Sequence, residues 1–186
     1  MRRLKMPAAF YIYCQPYTPQ HAEKFARRNR ETNLEGGLGA LKRVGRGPRL
    51  GRSERTDVSP PRNGWIAVDD ELSSRDPKLL RRLARELSDR TGAVVLALGV
   101  EDGAVVRYIL FDRGAVADEY ASVPEFHGPL PPGDVIALGA NPTVAQRLTG
   151  ADPGRVRSVA RTAASPVDLP PPDQLLREIA AVLGVD

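Results

Sequence analysis

The chain has 186 residues, with one cysteine, two histidines and a formal net charge of +4. Its length suits a single domain, and its 41% hydrophobic and 27% charged residues are typical of globular proteins. A lone Cys excludes an internal disulfide, two His exclude a metal site of several imidazoles, and no apolar run reaches the roughly 20 residues of a membrane span. We therefore expect a cytoplasmic protein with no membrane association, metal or cofactor.

The net charge is divided unevenly along the chain. Residues 1–62 contain 14 Lys and Arg against 5 Asp and Glu, a net charge of +9, whereas residues 63–186 contain 13 against 18, a net charge of −5. Arg provides 23 of the 27 basic residues, which suits bidentate contacts with phosphate and is equally what a GC-rich genome produces. The asymmetry indicates a basic segment attached to an acidic body.

The first third of the chain is predicted to contain a strand, a helix and a long loop. Residues 7–14 are rich in β-prone side chains. Thr18-Pro19 supplies a cap and a first helical residue for a helix that ends near Arg30. Residues 32–63 are rich in Gly and Pro and have no periodicity, which predicts a mobile loop or linker.

The chain becomes regular from Gly64 onwards. Residues 64–69 are predicted to form a strand, and a helix with a clear apolar face then starts at Asp76-Pro77 and ends at Gly92. Residues 93–121 are predicted to form three strands joined by two tight Gly-containing turns, an antiparallel meander. Its first strand is apolar on both faces and is therefore expected at the centre of the sheet.

The last third is predicted to be mostly helical. A Pro-rich loop over residues 123–134 precedes a short apolar strand, Val135–Leu138. Two short helices start at Asn141-Pro142 and Asp152-Pro153, and a longer final helix covers Asp173–Leu183.

These elements predict an α+β fold, with helices packed on an antiparallel or mixed sheet of about five to six strands centred on the meander of residues 93–121. Residues 1–31 contribute a strand and a helix to the core. Residues 32–63 form the Gly- and Arg-rich loop, and residues 64–186 form the main body of one domain.

Five arginines recur at every third position of the predicted loop. They form what we call the Arg tract: Arg43, Arg46, Arg49, Arg52 and Arg55. Interspersed Gly and Pro exclude a regular α-helix, whereas a polyproline-II conformation, with three residues per turn, would align the five guanidinium groups along one edge. Such an edge suits an anionic polymer. The patch is extended by basic residues of the predicted first helix, Arg27, Arg28 and Arg30. The alternatives are a solvated loop whose spacing is chance, and a loop that lies against the acidic body.

A polar cluster near the meander supports a different, enzymatic interpretation. In it His127 is a general base beside a carboxylate. The candidate residues are His127 with Asp112, Asp118 and Glu125, and with Glu119, Tyr120 and Ser122 nearby. Adjacent strand residues point to opposite faces, which argues against a mechanism that pairs Asp118 with Glu119.

The sequence thus predicts a non-catalytic binding protein whose Arg tract engages nucleic acid or an acidic protein surface, including a second copy of the chain. A small enzyme centred on His127 and a structural or regulatory subunit are the alternatives.

Overall fold

The computed structural model describes residues 10–15, 56–70 and 76–185. The strands are β1 (Phe10–Gln15), β2 (Thr56–Val58), β3 (Ile66–Asp70), β4 (Val94–Glu101), β5 (Val105–Asp112) and β6 (Ala115–Ala121). The helices are α1 (Pro77–Thr91), α2 (Pro132–Ala137), α3 (Pro142–Thr149), α4 (Pro153–Val159) and α5 (Pro172–Leu183), with a 3₁₀ turn at Pro166–Asp168.

The six strands form one sheet in the order β2-β3-β1-β4-β5-β6, and every neighbouring pair is antiparallel. β4 lies in the interior between β1 and β5, and seven of its eight residues are buried. The predicted α+β fold and its central meander over residues 93–121 are confirmed.

Helix α1 covers one face of the sheet. Asp76 caps its N-terminus by accepting hydrogen bonds from the N–H groups of Lys78 and Leu79. Gly92 ends it in the left-handed conformation that glycine adopts without steric cost. The helix buries a continuous apolar stripe against residues of β1, β4 and β5; the stripe consists of Leu80, Leu83, Ala84 and Leu87.

Helices α3, α4 and α5 cover the opposite face. Side chains alternate between the two faces of a strand, so β4 presents Leu96 and Leu98 to these helices and Val95 and Ala97 to α1. α5 contributes most to this layer, through Leu175, Leu176, Ile179, Ala180 and Leu183. The sheet is therefore packed between two helical layers.

Two segments differ from the prediction. Val135–Leu138 is not a strand, because residues 132–137 form α2, which starts with Pro132 in its first turn and leaves Ile136 78% exposed. Four apolar residues suit either element, and the preceding Pro favours a helix start. Thr56–Val58, placed in the predicted loop, pairs with β3 as an edge strand. The predicted helix Pro19–Arg30 lies outside the described residues.

The two turns of the meander have the same backbone conformation but different surroundings. Asp102-Gly103 and Arg113-Gly114 all have positive φ, as in the type I′ turns of tight hairpins. A Cβ atom on Gly103 would meet nothing within 4 Å, whereas one on Gly114 would lie 2.8 Å from the Cβ of Asp89 in α1. The second turn is therefore confined by α1, and the first is open.

We predict that Gly103→Ala lowers the free energy of unfolding by about 1–2 kcal/mol, the cost of a left-handed Ala. Gly114→Ala should lower it by about 2–5 kcal/mol, because overlap with α1 adds to the same strain. Urea denaturation of the two variants measures both losses. Equal losses would show that Asp89 does not confine the second turn.

Candidate functional site

His127 lies on the loop that follows β6, and its side chain is 53% exposed. Its Nε2 atom is 3.6 Å from Oε1 of Glu101 and 3.6 Å from Oδ2 of Asp102, at the turn between β4 and β5. Neither is a predicted partner, since the partners predicted from the sequence are Asp112, Asp118 and Glu125. Among the described residues, His127 forms no ion pair with any of these three carboxylates.

The three predicted carboxylates belong to different local structures. Asp112 ends β5, with Oδ1 4.0 Å from Nε of Arg113. Glu125 is exposed and closes its own loop, because Oε1 accepts a hydrogen bond from the N–H of Leu130 at 3.1 Å. Asp118 is 7% exposed and lies inside the molecule. Each of the three carboxylates thus has a contact of its own, and none of them forms an ion pair with His127 among the described residues.

Asp118 ties β5, β6 and α3 together. Its Oδ2 atom accepts a hydrogen bond of 2.7 Å from the hydroxyl of Tyr108, and both carboxylate oxygens lie 3.2 Å from the backbone nitrogen of Asn141. Burial raises the pKa of Asp118 above its ordinary value and outweighs these hydrogen bonds, which lower it. A perturbed acid is often a sign of catalysis, but both oxygens of this one are held by structural donors.

The other buried polar side chains near the meander also bond to the backbone. Tyr120 donates a hydrogen bond of 2.7 Å from its hydroxyl to the carbonyl oxygen of Arg161. The Ser122 hydroxyl accepts one of 3.0 Å from the N–H of Val106. Both residues were site candidates from sequence, and both satisfy groups that burial would otherwise leave unpaired.

A groove opens between the first turns of α1 and the strands β4, β5 and β6, and we call it the α1 groove. It encloses about 210 Å³. Its apolar floor is formed by Leu80, Ala97 and Ile109, together with the backbone of Gly99. Its charged residues are Lys78, Arg81, Glu101, Arg107 and Glu119.

Two ion pairs lie in the lining of the α1 groove. Arg81 places Nη1 2.6 Å from Oε1 of Glu119 and so joins α1 to the edge strand β6. Arg107 places Nε 2.5 Å from Oε2 of Glu101, and both of these atoms are shielded from solvent and lack a hydrogen-bond partner. This second contact is therefore an ion pair without an aligned hydrogen bond. Glu101 also links the groove to His127 through its other oxygen.

The α1 groove was not predicted from the sequence because its charged residues come from four separate elements. A signal was nevertheless present. Arg107 interrupts the apolar strand β5 at a position whose neighbours on the same face, Val105, Ile109 and Phe111, are apolar. A charged residue on an otherwise apolar strand face indicates either a partner or a ligand.

Cys14 is buried in β1, and burial raises the pKa of its thiol to about 12, so the reactive thiolate is suppressed. Across residues 10–15, 56–70 and 76–185, no group of three or more His, Cys, Asp or Glu side chains is arranged to hold a metal ion. The Arg tract, like Arg27, Arg28 and Arg30, lies outside the described residues.

Comparison with protein-family models, curated proteins and solved structures found no match to this chain. Of the helices in the described ranges, none is long and apolar enough to cross a bilayer.

Tyr108 and Tyr120 form a matched pair for testing the role of Asp118. Their rings stack with centroids 5.2 Å apart, and each hydroxyl donates a single hydrogen bond, one to a carboxylate and one to a carbonyl. Bonds to charged groups contribute more than neutral ones. We predict that Tyr108→Phe lowers the free energy of unfolding by about 1.5–3 kcal/mol and Tyr120→Phe by about 0.5–1.5 kcal/mol. Thermal or urea denaturation measures both, and a larger loss for Tyr120→Phe would contradict the assignment.

Proposed function

We propose that this chain is a non-catalytic binding protein that holds an anionic polymer, nucleic acid above all, through the Arg tract. The observation that carries the proposal is the recurrence of Arg at every third position from Arg43 to Arg55. In a polyproline-II conformation, with a rise of about 3.1 Å per residue, successive guanidinium groups lie roughly 9 Å apart on one edge. Arg side chains are long enough to meet phosphates along a flexible single strand from such an edge.

The composition of the tract favours contacts with the phosphate backbone over contacts with bases. No aromatic residue occurs between Arg43 and Arg55, so the side chains on which unpaired bases stack are missing from this stretch. Binding is then driven by release of counterions, and it depends steeply on salt and little on base sequence.

The use of polar side chains in the body supports the non-catalytic part of the proposal. Structural hydrogen bonds, which join strands, turns and helix starts, occupy the buried polar groups of Asp118, Tyr120 and Ser122. His127 is an exposed loop residue beside the β4–β5 turn. The net charge of −5 on residues 63–186 repels an anionic polymer, which favours contacts confined to the basic segment.

The proposal is tested by fluorescence anisotropy with a labelled random-sequence single-stranded RNA, and with the matching DNA, across a salt series. One variant changes the five Arg of the tract to Ser. A control variant changes five exposed Arg elsewhere to Ser, with the same loss of charge: Arg82, Arg85, Arg147, Arg155 and Arg157.

We predict that the wild type binds with a linear dependence of log K on log salt concentration. The tract variant should lose about 3.5 units of that slope, or roughly 0.7 for each of five contacts with a single strand, while the control keeps most of it. An equal loss of slope in both variants would show that the tract contributes only through net charge and is not a specific binding segment. No binding of the wild type at low salt would overturn the nucleic-acid proposal and leave an acidic protein surface as the partner to test.

A further inference from the structure

We infer that the α1 groove is a binding site for a small amphiphilic anion, a molecule with a short apolar body and one carboxylate or similar anionic head. This site is separate from the Arg tract, since all its lining residues belong to α1 and to strands β4, β5 and β6. A cavity of about 210 Å³ is smaller than the pockets of drug-sized ligands, so the ligand is a small one.

The shape of the groove originates in a gradient of side-chain size along β4. On the face that α1 covers, successive residues of this strand are Val95, Ala97 and Gly99. Side-chain volume therefore falls to nothing as the strand passes beneath the first turns of α1. Leu80 and Ile109 line the space beside Gly99. The apolar body of a ligand can pack against these two side chains.

The charges of the groove favour an anion. Three cations, Lys78, Arg81 and Arg107, face two carboxylates, Glu101 and Glu119, and each carboxylate already has an Arg partner. Lys78 has no ion-pair partner among the residues that the structure describes. The groove therefore carries one surplus positive charge beside its apolar floor.

Arg107 provides the directional part of the recognition. A guanidinium group has five N–H donors, and Arg107 meets Glu101 through Nε. In the described part of the chain, its two terminal nitrogens form no ion pair. A carboxylate matches such a fork with two parallel hydrogen bonds, which an ammonium group cannot form.

The backbone of the α1 N-terminus is not part of the proposed site. Its N–H groups at Lys78 and Leu79 already donate to the carboxylate of Asp76. The anionic head is therefore held by side chains, and substitutions of those side chains can remove it.

The test uses three probes at equal ionic strength and follows backbone amides by ¹H–¹⁵N correlation spectra of the full chain. Hexanoate has both an apolar body and an anionic head, hexylamine has the body with a cationic head, and inorganic phosphate has charge without a body. We expect hexanoate to shift the amides of Leu80, Gly99 and Ile109 saturably, and the other two probes to leave them unchanged.

Four results would overturn the inference. Hexanoate without saturable shifts at Gly99 would show that no site exists there. Amide shifts with phosphate equal to those with hexanoate would show a site that binds charge alone. Amide shifts with hexylamine equal to those with hexanoate would show an apolar cleft without a site for the anionic head. Loss of hexanoate binding in the variant whose five Arg-tract residues are changed to Ser would show that the amide shifts originate in that segment.

Substitutions assign the head group. Arg107→Gln should weaken hexanoate about tenfold, as expected for loss of a charged hydrogen bond. It also leaves Glu101 without its partner, so the exposed Lys78→Gln is the deciding variant, with an expected weakening of about two- to fivefold. Arg85→Gln, on the same helix but outside the groove, is the matched control and should bind as the wild type does. Equal binding by Lys78→Gln and Arg85→Gln would contradict the assignment.

Discussion

β4 is shielded from water on both of its faces, and the rest of the structure depends on that burial. A strand apolar on both sides requires a covering layer on each side. α1, which precedes β4 in sequence, covers Val95 and Ala97, and the helices that follow the meander cover Leu96 and Leu98. β4 therefore lies between two helical layers, one formed by the helix that precedes the meander in sequence and the other by helices that follow it.

The same burial determines what the polar side chains near the meander do. A polar group taken out of water must find a partner inside the protein. Asp118 therefore binds Tyr108 and the start of α3, and Tyr120 reaches the carbonyl of Arg161. The buried pair of Tyr108 and Asp118 therefore attaches the second helical layer to the sheet. The charged groups of the α1 groove differ, because Lys78 and the terminal nitrogens of Arg107 have no ion-pair partner among the described residues.

Most of the described fold could be predicted from local patterns. α1 was predictable because Asp76-Pro77, a 3.6-residue apolar period and Gly92 all specify one helix. β4 was predictable because its first seven residues include no polar side chain. The strand predicted at Val135–Leu138 was wrong because four residues carry no period. β2 was missed because its three residues are fixed by pairing with β3. The α1 groove depends on tertiary contacts between Arg81 and Glu119, 38 residues apart, which no local pattern contains.

The proposed function confines the contacts with the anionic partner to the Arg tract, so binding is expected to leave the sheet and its helical layers unchanged. The most direct test of whether RNA contacts the Arg tract or the body is hydrogen–deuterium exchange with mass spectrometry. Exchange is compared with and without saturating single-stranded RNA at low salt. We predict that exchange slows in peptides that cover residues 43–55 and stays the same in α1 and β4–β6. Slower exchange in α1 or β4–β6 with no change in residues 43–55 would place the anionic partner on the body and contradict the proposed function.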